Sequence, residues 1–231
     1  MRLIVRTLSE LCITVGALIV LFVAYVLFWT GVRADGAMND QIDRLHRQWS
    51  TGSVPAAAAT APADPGAVPP PPAPYHYGEP FAIMYIPRLG STWDKPVLEG
   101  TGRDVLAKGL GHYGGTARLG QVGNFAVAGH RRTYGDPLKD FPRLRPGDAV
   151  VLTDGTTWFT YRIDKGPYKT VPTDIGVIDP VPRKSGYARP GRYLTLTTCD
   201  PEWGHSHRLI VWGHLDSTQA VESGEPGALR R

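Results

Sequence analysis

Hydrophobic positions divide the chain into an uninterrupted apolar segment, a sparse middle and a long region of alternating positions. Residues 11–29 (LCITVGALIVLFVAYVLFW) carry no charge, and a helix of this length spans a hydrocarbon core about 30 Å thick. We predict a membrane-spanning signal anchor, because the run exceeds the roughly 7–15 apolar residues of a cleaved signal peptide and ends in bulky aromatic residues. Arg2 and Arg6 precede it, so residues 1–10 are predicted to be cytoplasmic and the rest extracellular, as in a single-pass protein of the cell membrane.

Two further segments separate the anchor from the alternating region. Residues 36–49 carry apolar side chains at the spacing of one helix face, which predicts an amphipathic juxtamembrane helix that either lies on the membrane or, as we favour, packs on the folded domain. These side chains are Met38, Ile42, Leu45 and Trp49. Residues 50–79 are rich in Ala and Pro and nearly free of large aliphatic side chains. We therefore predict a semi-stiff Pro/Ala-rich linker that holds the next domain tens of ångströms from the lipid.

Short apolar runs separated by Gly and Pro turns fill residues 80–216, which we predict to be the folded domain. Strands are predicted at 81–87, 124–130, 148–154, 157–163, 168–171, 192–199 and 208–215. Asp154-Gly155 joins two of these runs as a tight hairpin, and short helical turns are expected at 102–109 and around 137–144. This pattern is typical of an all-β barrel or sandwich.

Composition and charge narrow the function classes. The 231 residues include 27 Gly and 21 Pro, which suits strands and turns better than a helical bundle, and residues 217–231 are predicted to be a disordered tail. The net charge of +4 is spread without a basic run, so nucleic acid is not expected as a partner.

Cys12 lies in the anchor and Cys199 in the exported domain, so the two cysteines cannot pair. A free thiol outside the cell is unusual, and it is either an inert buried side chain or a reactive group.

Alternation along the strands puts three reactive side chains opposite the core-facing positions. Cys199 lies on the other strand face from Leu194 and Leu196. His130 and Arg208 are likewise opposite the bulky apolar side chains of their own strands. A thiolate is a nucleophile, an imidazole can take and return its proton, and a guanidinium can stabilise an oxyanion. The trio therefore supplies a complete acyl-transfer set without a metal.

Other polar residues near the trio have simpler interpretations. Asp200 with Pro201 is interpreted as the start of a turn after the thiol, with a role in catalysis as the minor alternative. His205 and His207 invite a metal site with the thiol, but no CxxC or HExxH motif is present, so we predict neither a metal nor a cofactor. His112, in GLGHYGG, either lines a pocket or packs within its loop.

The motifs around the trio resemble those of a known family. TLTTC ending at Cys199, RLIVWG beginning at Arg208 and the upstream AGH ending at His130 are similar to the sortases. The wider context GHYGGTARLGQVGNFAVAGHRRTYG and the form TLTTCDP are most similar to class E sortases of high-GC Gram-positive bacteria. Over about residues 80–216, the resemblance implies an eight-stranded β-barrel with short helices and a site in a surface groove. It also implies that Cys199 is the nucleophile, His130 the family histidine and Arg208 the oxyanion- or substrate-binding arginine.

The resemblance further implies a cysteine transpeptidase that cleaves an LPxTG-like sorting signal between Thr and Gly, with LAxTG as the class E form. The thiol forms a thioacyl bond to the Thr carbonyl, and a peptidoglycan amine then resolves it and anchors the secreted protein to the wall. The sequence has no obvious lid, which favours anchoring over pilin polymerisation. The predicted substrate contacts are Tyr113, Ala128, Thr197 and Thr198.

Three other functions remain open from the sequence. An L,D-transpeptidase also uses Cys and His on a β scaffold, but it has Gly before the Cys and Arg two residues after it, where this chain has Thr198 and Pro201. A papain-like or endopeptidase hydrolase has its Cys before its His, whereas His130 comes first here. The third function is that of a non-catalytic, membrane-tethered β-module.

Overall fold

A long helix and a barrel of eight strands make up the structure, a computed structural model that describes residues 2–52 and 74–230. The helices are α1 (Arg2–Ser50) and the short α2 (Arg103–Leu106). The strands are β1 (Pro80–Tyr85), β2 (Asp94–Glu99), β3 (Leu110–His112), β4 (Gly123–Ala128), β5 (Ala149–Thr153), β6 (Thr157–Thr170), β7 (Arg192–Asp200) and β8 (His207–Ala220). Most of the predicted linker, residues 53–73, lies outside the described residues.

The eight strands close into a barrel in the order β1-β2-β3-β4-β7-β8-β6-β5, which confirms the predicted all-β barrel. Two neighbouring pairs, β2–β3 and β4–β7, are parallel, and the others are antiparallel. Alternate side chains of each strand fill the interior, among them Phe125, Val127, Leu194 and Leu196. Asp154 closes the predicted β5–β6 hairpin by accepting hydrogen bonds from the backbone amides of the two threonines that follow Gly155.

The structure differs from the predicted strands at three places. Strands β2 and β3 were not predicted, because DKPVLE contains a proline and three charged residues and LGH is too short to alternate. Strand β6 joins the predicted strands 157–163 and 168–171 into one. It crosses Gly166 and Pro167 by shifting its register against β8 between Ile163 and Tyr168.

Helix α1 is continuous, although the sequence predicted an anchor at 11–29 and a separate helix at 36–49. Its N-terminal window Ile4–Val23 has a mean hydropathy of 1.9 and lies fully exposed, so by length and composition it is a candidate membrane span. Its C-terminal part packs on the barrel, where Ile42 and Leu45 contact Ile83 of β1.

The docked part of α1 makes contacts on several elements of the barrel. The Trp49 ring covers Gly155 in the β5–β6 turn, and Met38 lies against Gly135 in the loop after β4. Met38 and Leu45 are only 2% and 1% exposed. About 11 residues separate Val23, the end of the candidate span, from the buried Ala34 in the docked part, which corresponds to roughly 16 Å of helix. The barrel therefore packs directly against the C-terminal part of α1.

The C-terminal boundary also differs from the prediction. Strand β8 continues to Ala220, four residues beyond the predicted domain end at Asp216, because its residues 217–220 pair with the start of β6. A 3₁₀ turn at Val221–Ser223 follows, and Pro226 is buried. Residues 217–220 thus belong to strand β8, although the sequence predicted that a disordered tail begins at residue 217.

The docking of α1 predicts that Leu45→Ala in the full chain lowers the free energy of unfolding of the barrel by about 2–4 kcal/mol, since it removes a buried side chain between the helix and β1. Denaturant unfolding in detergent, followed by tryptophan fluorescence, measures this change. Asp43→Ala, at an exposed position of the same helix, is the control and is expected to stay within about 0.5 kcal/mol of the parent. Equal unfolding midpoints for the two variants would contradict the docking.

Candidate active site

Cys199 and Arg208 are direct partners in the antiparallel β7–β8 pair. Side chains that face each other in such a pair lie on the same side of the sheet, with their Cβ atoms about 5 Å apart. Arg208 is also the register partner of Thr170 on β6. Cys199 is a free, partly buried thiol, so the structure neither seals it in the core nor pairs it with Cys12.

His130 is held beside Cys199 by contacts on both sides of it along the chain. Ala128 is in parallel register with Thr197, and the Gly129 amide donates to the Thr197 carbonyl at 3.1 Å. On the other side of the histidine, Arg131 is ion-paired with Asp200 at 2.6 Å. Because residues 129 and 131 are bonded to residues 197 and 200, the backbone of His130 lies at the end of β7 that carries Cys199. The structure therefore brings the three predicted reactive residues to one rim of the barrel.

The imidazole of His130 is partly buried. Burial lowers the pKa of His130, and the positive charge of Arg103 on α2 lowers it further. The ring lies 5.0 Å from the Tyr134 ring, measured between centroids. Its Nε2 atom is buried and has no hydrogen-bond partner among residues 2–52 and 74–230. A neutral imidazole with an unpaired nitrogen can accept a proton from a thiol.

The guanidinium of Arg208 is fixed by the loop between β7 and β8. Its Nη1 donates to the carbonyl oxygens of His205 and His207, each at 3.0 Å. These two bonds orient a planar group whose other N–H donors remain for a ligand. The predicted alternative for His205 and His207, a metal site, has no support, because the described residues contain no cluster of three or more His, Cys, Asp or Glu side chains.

A small cavity of about 70 Å³ opens between this rim and the segment that follows β6. Tyr113, Thr197 and Arg208 line one side, and the Tyr113 hydroxyl and the Thr197 hydroxyl are hydrogen-bonded at 2.9 Å. Apolar side chains line the other side, and they include Val171, Pro172, Ile175, Val177 and Ile178. Val171 and Ile175 are exposed large hydrophobic residues, which is typical of a surface that binds an apolar ligand group.

Thr198, Ala128 and His112 were also predicted as possible contacts of the site, and each has its own place in the fold. Thr198 is buried and its hydroxyl donates to the Gly129 carbonyl at 2.8 Å, because it follows Thr197 in a strand and points to the other face. Its hydroxyl is therefore engaged in the fold, and its assignment as a substrate contact stays a prediction. Ala128 is 8% exposed and adjoins Thr197. His112 is a packing residue, with Nδ1 2.6 Å from a Glu99 carboxylate oxygen.

The sequence predicts Asp200 mainly as a turn residue, but in the structure its carboxylate has two cationic partners. One carboxylate oxygen lies 2.6 Å from Arg131, and the other lies 2.8 Å from Lys169 on β6. The hydrogen bond from Lys169, together with Arg131, holds the pKa of Asp200 below its ordinary value. Local sequence gives no sign of this cluster, because its three members are remote from one another along the chain.

Taken together, a thiol, a partly buried imidazole and a fixed guanidinium lie at one rim of the barrel, and the guanidinium also lines a partly apolar cavity. The thiol can attack a carbonyl carbon once the imidazole takes its proton, and the guanidinium can stabilise the developing oxyanion. The arrangement is suited to acyl transfer from a peptide that lies along the rim.

Comparison with known proteins gives a consistent result. The family model described as a sortase domain matches residues 84–216. Sortase SrtE1 of Streptomyces coelicolor is 36% identical over 97% of this chain and 60% of its own length, and SrtE2 of the same organism is 30% identical over 94% and 84%. This chain therefore spans about 60% of the length of SrtE1.

Solved structures match the barrel. The structure of sortase E from Streptomyces avermitilis is 80% identical and covers 68% of this chain and 100% of its own, with a TM-score of 0.65. Sortase E1 from Streptomyces coelicolor, solved with a tripeptide in its active site, is 38% identical and covers 66% of this chain and 97% of its own, with a TM-score of 0.62.

The burial of His130 predicts a midpoint below 6.5 when its imidazole is titrated by NMR in the folded protein. Arg103→Gln is expected to raise this midpoint, since it removes a nearby positive charge, and Lys108→Gln in the same segment is the control. The unfolded chain binds this proton more strongly, so the contribution to stability is full above the ordinary pKa of 6.5 and is lost as the pH falls through the lower pKa of the folded protein. A midpoint at or above 6.5 would contradict the burial of the ring.

Proposed function

Because the chain belongs to the sortase family, we propose that it is a membrane-anchored cysteine transpeptidase that acts on a C-terminal sorting signal of the LAxTG or LPxTG type. The observation that carries the proposal is the meeting of Cys199, His130 and Arg208 at one rim of the barrel. The alternatives lack such support. The chain does not have the residue pattern of an L,D-transpeptidase around its cysteine. A non-catalytic module would not require an imidazole whose Nε2 has no partner among the described residues at the same rim as a free thiol.

In the first half-reaction, the sulfur of Cys199 attacks the carbonyl carbon of the signal threonine while its proton passes to His130. The oxyanion that forms is stabilised by Arg208, whose guanidinium is already fixed by the β7–β8 loop. His130, now protonated, donates its proton to the departing glycine amine, the Thr–Gly bond breaks and a thioester remains. The lowered pKa of His130 favours the free base in the resting enzyme and makes the protonated ring a better donor to the leaving amine, while it makes the ring a weaker base toward the thiol.

In the second half-reaction, an amine attacks the thioester and the sulfur leaves. The amine gives its proton to His130, which returns it to the sulfur, so the enzyme is regenerated without net change. We propose a peptidoglycan amine as the acceptor, because the candidate span Ile4–Val23 would keep the barrel at the membrane, where wall precursors are presented. Arg2 and Arg6 before the span support an orientation with the N-terminus in the cytoplasm.

The cavity beside the trio supports recognition of the first residues of the signal. Its apolar side, formed by Val171, Ile175 and their neighbours, has the chemistry to receive the leucine side chain. The paired hydroxyl groups of Tyr113 and Thr197 line the same cavity, where they can bond the backbone of the next residues. Ala128, next to Thr197, leaves room for that backbone because its side chain is a methyl group.

We expect Cys199→Ala to abolish cleavage of a fluorogenic LAxTG peptide, and His130→Ala and Arg208→Ala to lower kcat/KM by at least about a hundredfold each. The measurement is peptide cleavage by the full chain in detergent, with glycine oligomers as amine acceptors. Mass spectrometry of the denatured enzyme should find the acyl fragment of the peptide, ending in threonine, on Cys199.

The matched control is Cys12→Ala, which removes the other cysteine of the chain and should leave cleavage unchanged. Release of free acid with no amine-linked product would indicate a hydrolase instead of a transpeptidase. Near-normal turnover by any of the three variants would remove that residue from the mechanism.

Tyr113→Phe is expected to raise KM for the LAxTG peptide about three- to tenfold with a smaller effect on kcat, since it removes one hydroxyl of the Tyr113–Thr197 pair and keeps the ring. Initial rates over a range of peptide concentrations separate the two constants. Tyr193→Phe, which removes a hydroxyl bonded to the Arg189 carbonyl elsewhere on the barrel, serves as the control. An unchanged KM for Tyr113→Phe would exclude a contact of this hydroxyl with the peptide.

A further inference from the structure

Asp200, the residue after the candidate nucleophile, joins three parts of the barrel through its carboxylate. One oxygen lies 2.6 Å from the guanidinium of Arg131, in the loop after β4, and the other lies 2.8 Å from the ammonium of Lys169 on β6. The side chains of Asp200 and Arg131 are only 15% and 11% exposed. This cluster therefore differs from a surface pair such as Arg162–Asp216, in which both side chains are about 40% exposed.

Each member of the cluster is adjacent to one member of the candidate trio. Asp200 follows Cys199 and Arg131 follows His130 in the sequence. Lys169 precedes Thr170, which is the register partner of Arg208. A displacement of the carboxylate thus reaches the thiol and the imidazole through one neighbouring peptide unit each. It reaches the guanidinium through the pairing of Thr170 with Arg208.

We propose that Asp200 is a positioning residue of the active site, whose carboxylate fixes His130 against Cys199 and balances the positive charge of Arg131 and Lys169 beside them. The expected effect on peptide turnover rests on the proposed transpeptidase function. The expected effect on the position and reactivity of the Cys199 thiol does not depend on it. Asp200 does not touch the reacting atoms in this role and acts through its neighbours.

The charge balance at the rim explains why one carboxylate has a large effect. Two cations and one anion give the cluster a net charge of +1, and the loss of the carboxylate raises it to +2. The further charges that face the site are mostly positive: Arg103 from α2 acts on His130, and Arg208 stands opposite Cys199. Arg132 is held by its own partners, Glu202 at 2.9 Å and Asp136 at 3.0 Å, so these carboxylates do not replace Asp200.

The position of the loop after β4 depends on Asp200, because Arg131 in this loop is bonded to the Asp200 carboxylate. Its Nε is buried and has no partner among the described residues, so the bond to Asp200 is the contact that offsets the burial of this charge. Removing one partner of a partly buried ion pair leaves the other uncompensated, which favours a rearrangement that returns it to water. Such a rearrangement moves the backbone directly next to His130 and increases its separation from Cys199.

The test measures the rate of alkylation of Cys199 by iodoacetamide against pH, in the full chain carrying Cys12→Ala. Asp200→Asn is expected to move the pH midpoint of this rate down by about half a unit, since added positive charge favours the thiolate. Lys169→Gln, at a more exposed position, is expected to move it up. The double variant restores the net charge of +1, so its midpoint should return close to that of the parent.

Peptide kinetics then test the positioning. Asp200→Asn should lower kcat for LAxTG cleavage about tenfold and change KM by less than about twofold, because the contacts with the peptide remain while the alignment of the reacting groups is lost. Asp200→Glu keeps the charge and should retain the parent midpoint of alkylation. Asp148→Asn, which breaks the ion pair with Arg88 on another part of the barrel, should lower the melting temperature without moving the midpoint.

The outcomes separate this proposal from the proposed function. Midpoints that coincide for the parent, Asp200→Asn and Lys169→Gln overturn the electrostatic role, and a kcat equal to that of the parent in Asp200→Asn overturns the positioning role. If no peptide is cleaved by the parent but the midpoints shift in opposite directions as expected, the transpeptidase function fails and the role of Asp200 at the thiol stands. If Asp200→Asn does not fold, Lys169→Gln and Asp200→Glu still decide the electrostatic part.

Discussion

Backbone pairing among β4, β7 and β8 determines where the reactive side chains meet. Because β4 and β7 are parallel, their C-terminal ends lie at the same rim of the barrel, and these ends carry His130 and Cys199. Strand β7 then reverses into the antiparallel β8, so the start of β8 lies at this rim as well and presents Arg208. A parallel pair cannot be closed by a short hairpin, and the crossover between β4 and β7 contains β5 and β6. Residues far apart in the sequence therefore converge without any local signal.

Electrostatics at the rim follow from burial and from an excess of positive charge. Burial and Arg103 favour the neutral form of His130, while Asp200 stays ionised between Arg131 and Lys169. The opposite wall of the cavity is held by another carboxylate, Asp174, which bonds Thr170 and Lys184 and has a lowered pKa for that reason, Lys184 being the largest cause. The site thus has a proton acceptor, a fixed cation and an apolar wall, each secured by contacts outside the reacting atoms.

Helix α1 combines a candidate membrane span with a surface that covers the barrel. Since the same continuous helix provides both, the distance between the candidate span and the barrel is set by helix length and packing. Met38 lies against Gly135, in the loop that also contains His130, so the anchor and the site share a structural element. The docked face of β1, with Ile83 and Tyr85, would otherwise expose apolar surface.

The sequence by itself determined the periodicity of most strands, the apolar N-terminal segment and the core faces of β4 and β7, and it indicated the residues of the proposed reactive trio, because these features depend on local alternation and on short motifs. Tertiary structure decided the closure of the barrel, the pairing of the short β2 and β3, the continuity of β6 across Gly166 and Pro167, and the docking of α1. It also decided that Thr198 serves the fold and that Asp200 binds two cations. These features depend on partners that are distant along the chain, and the free energy of a long-range contact leaves no periodic pattern in the residues on either side of it.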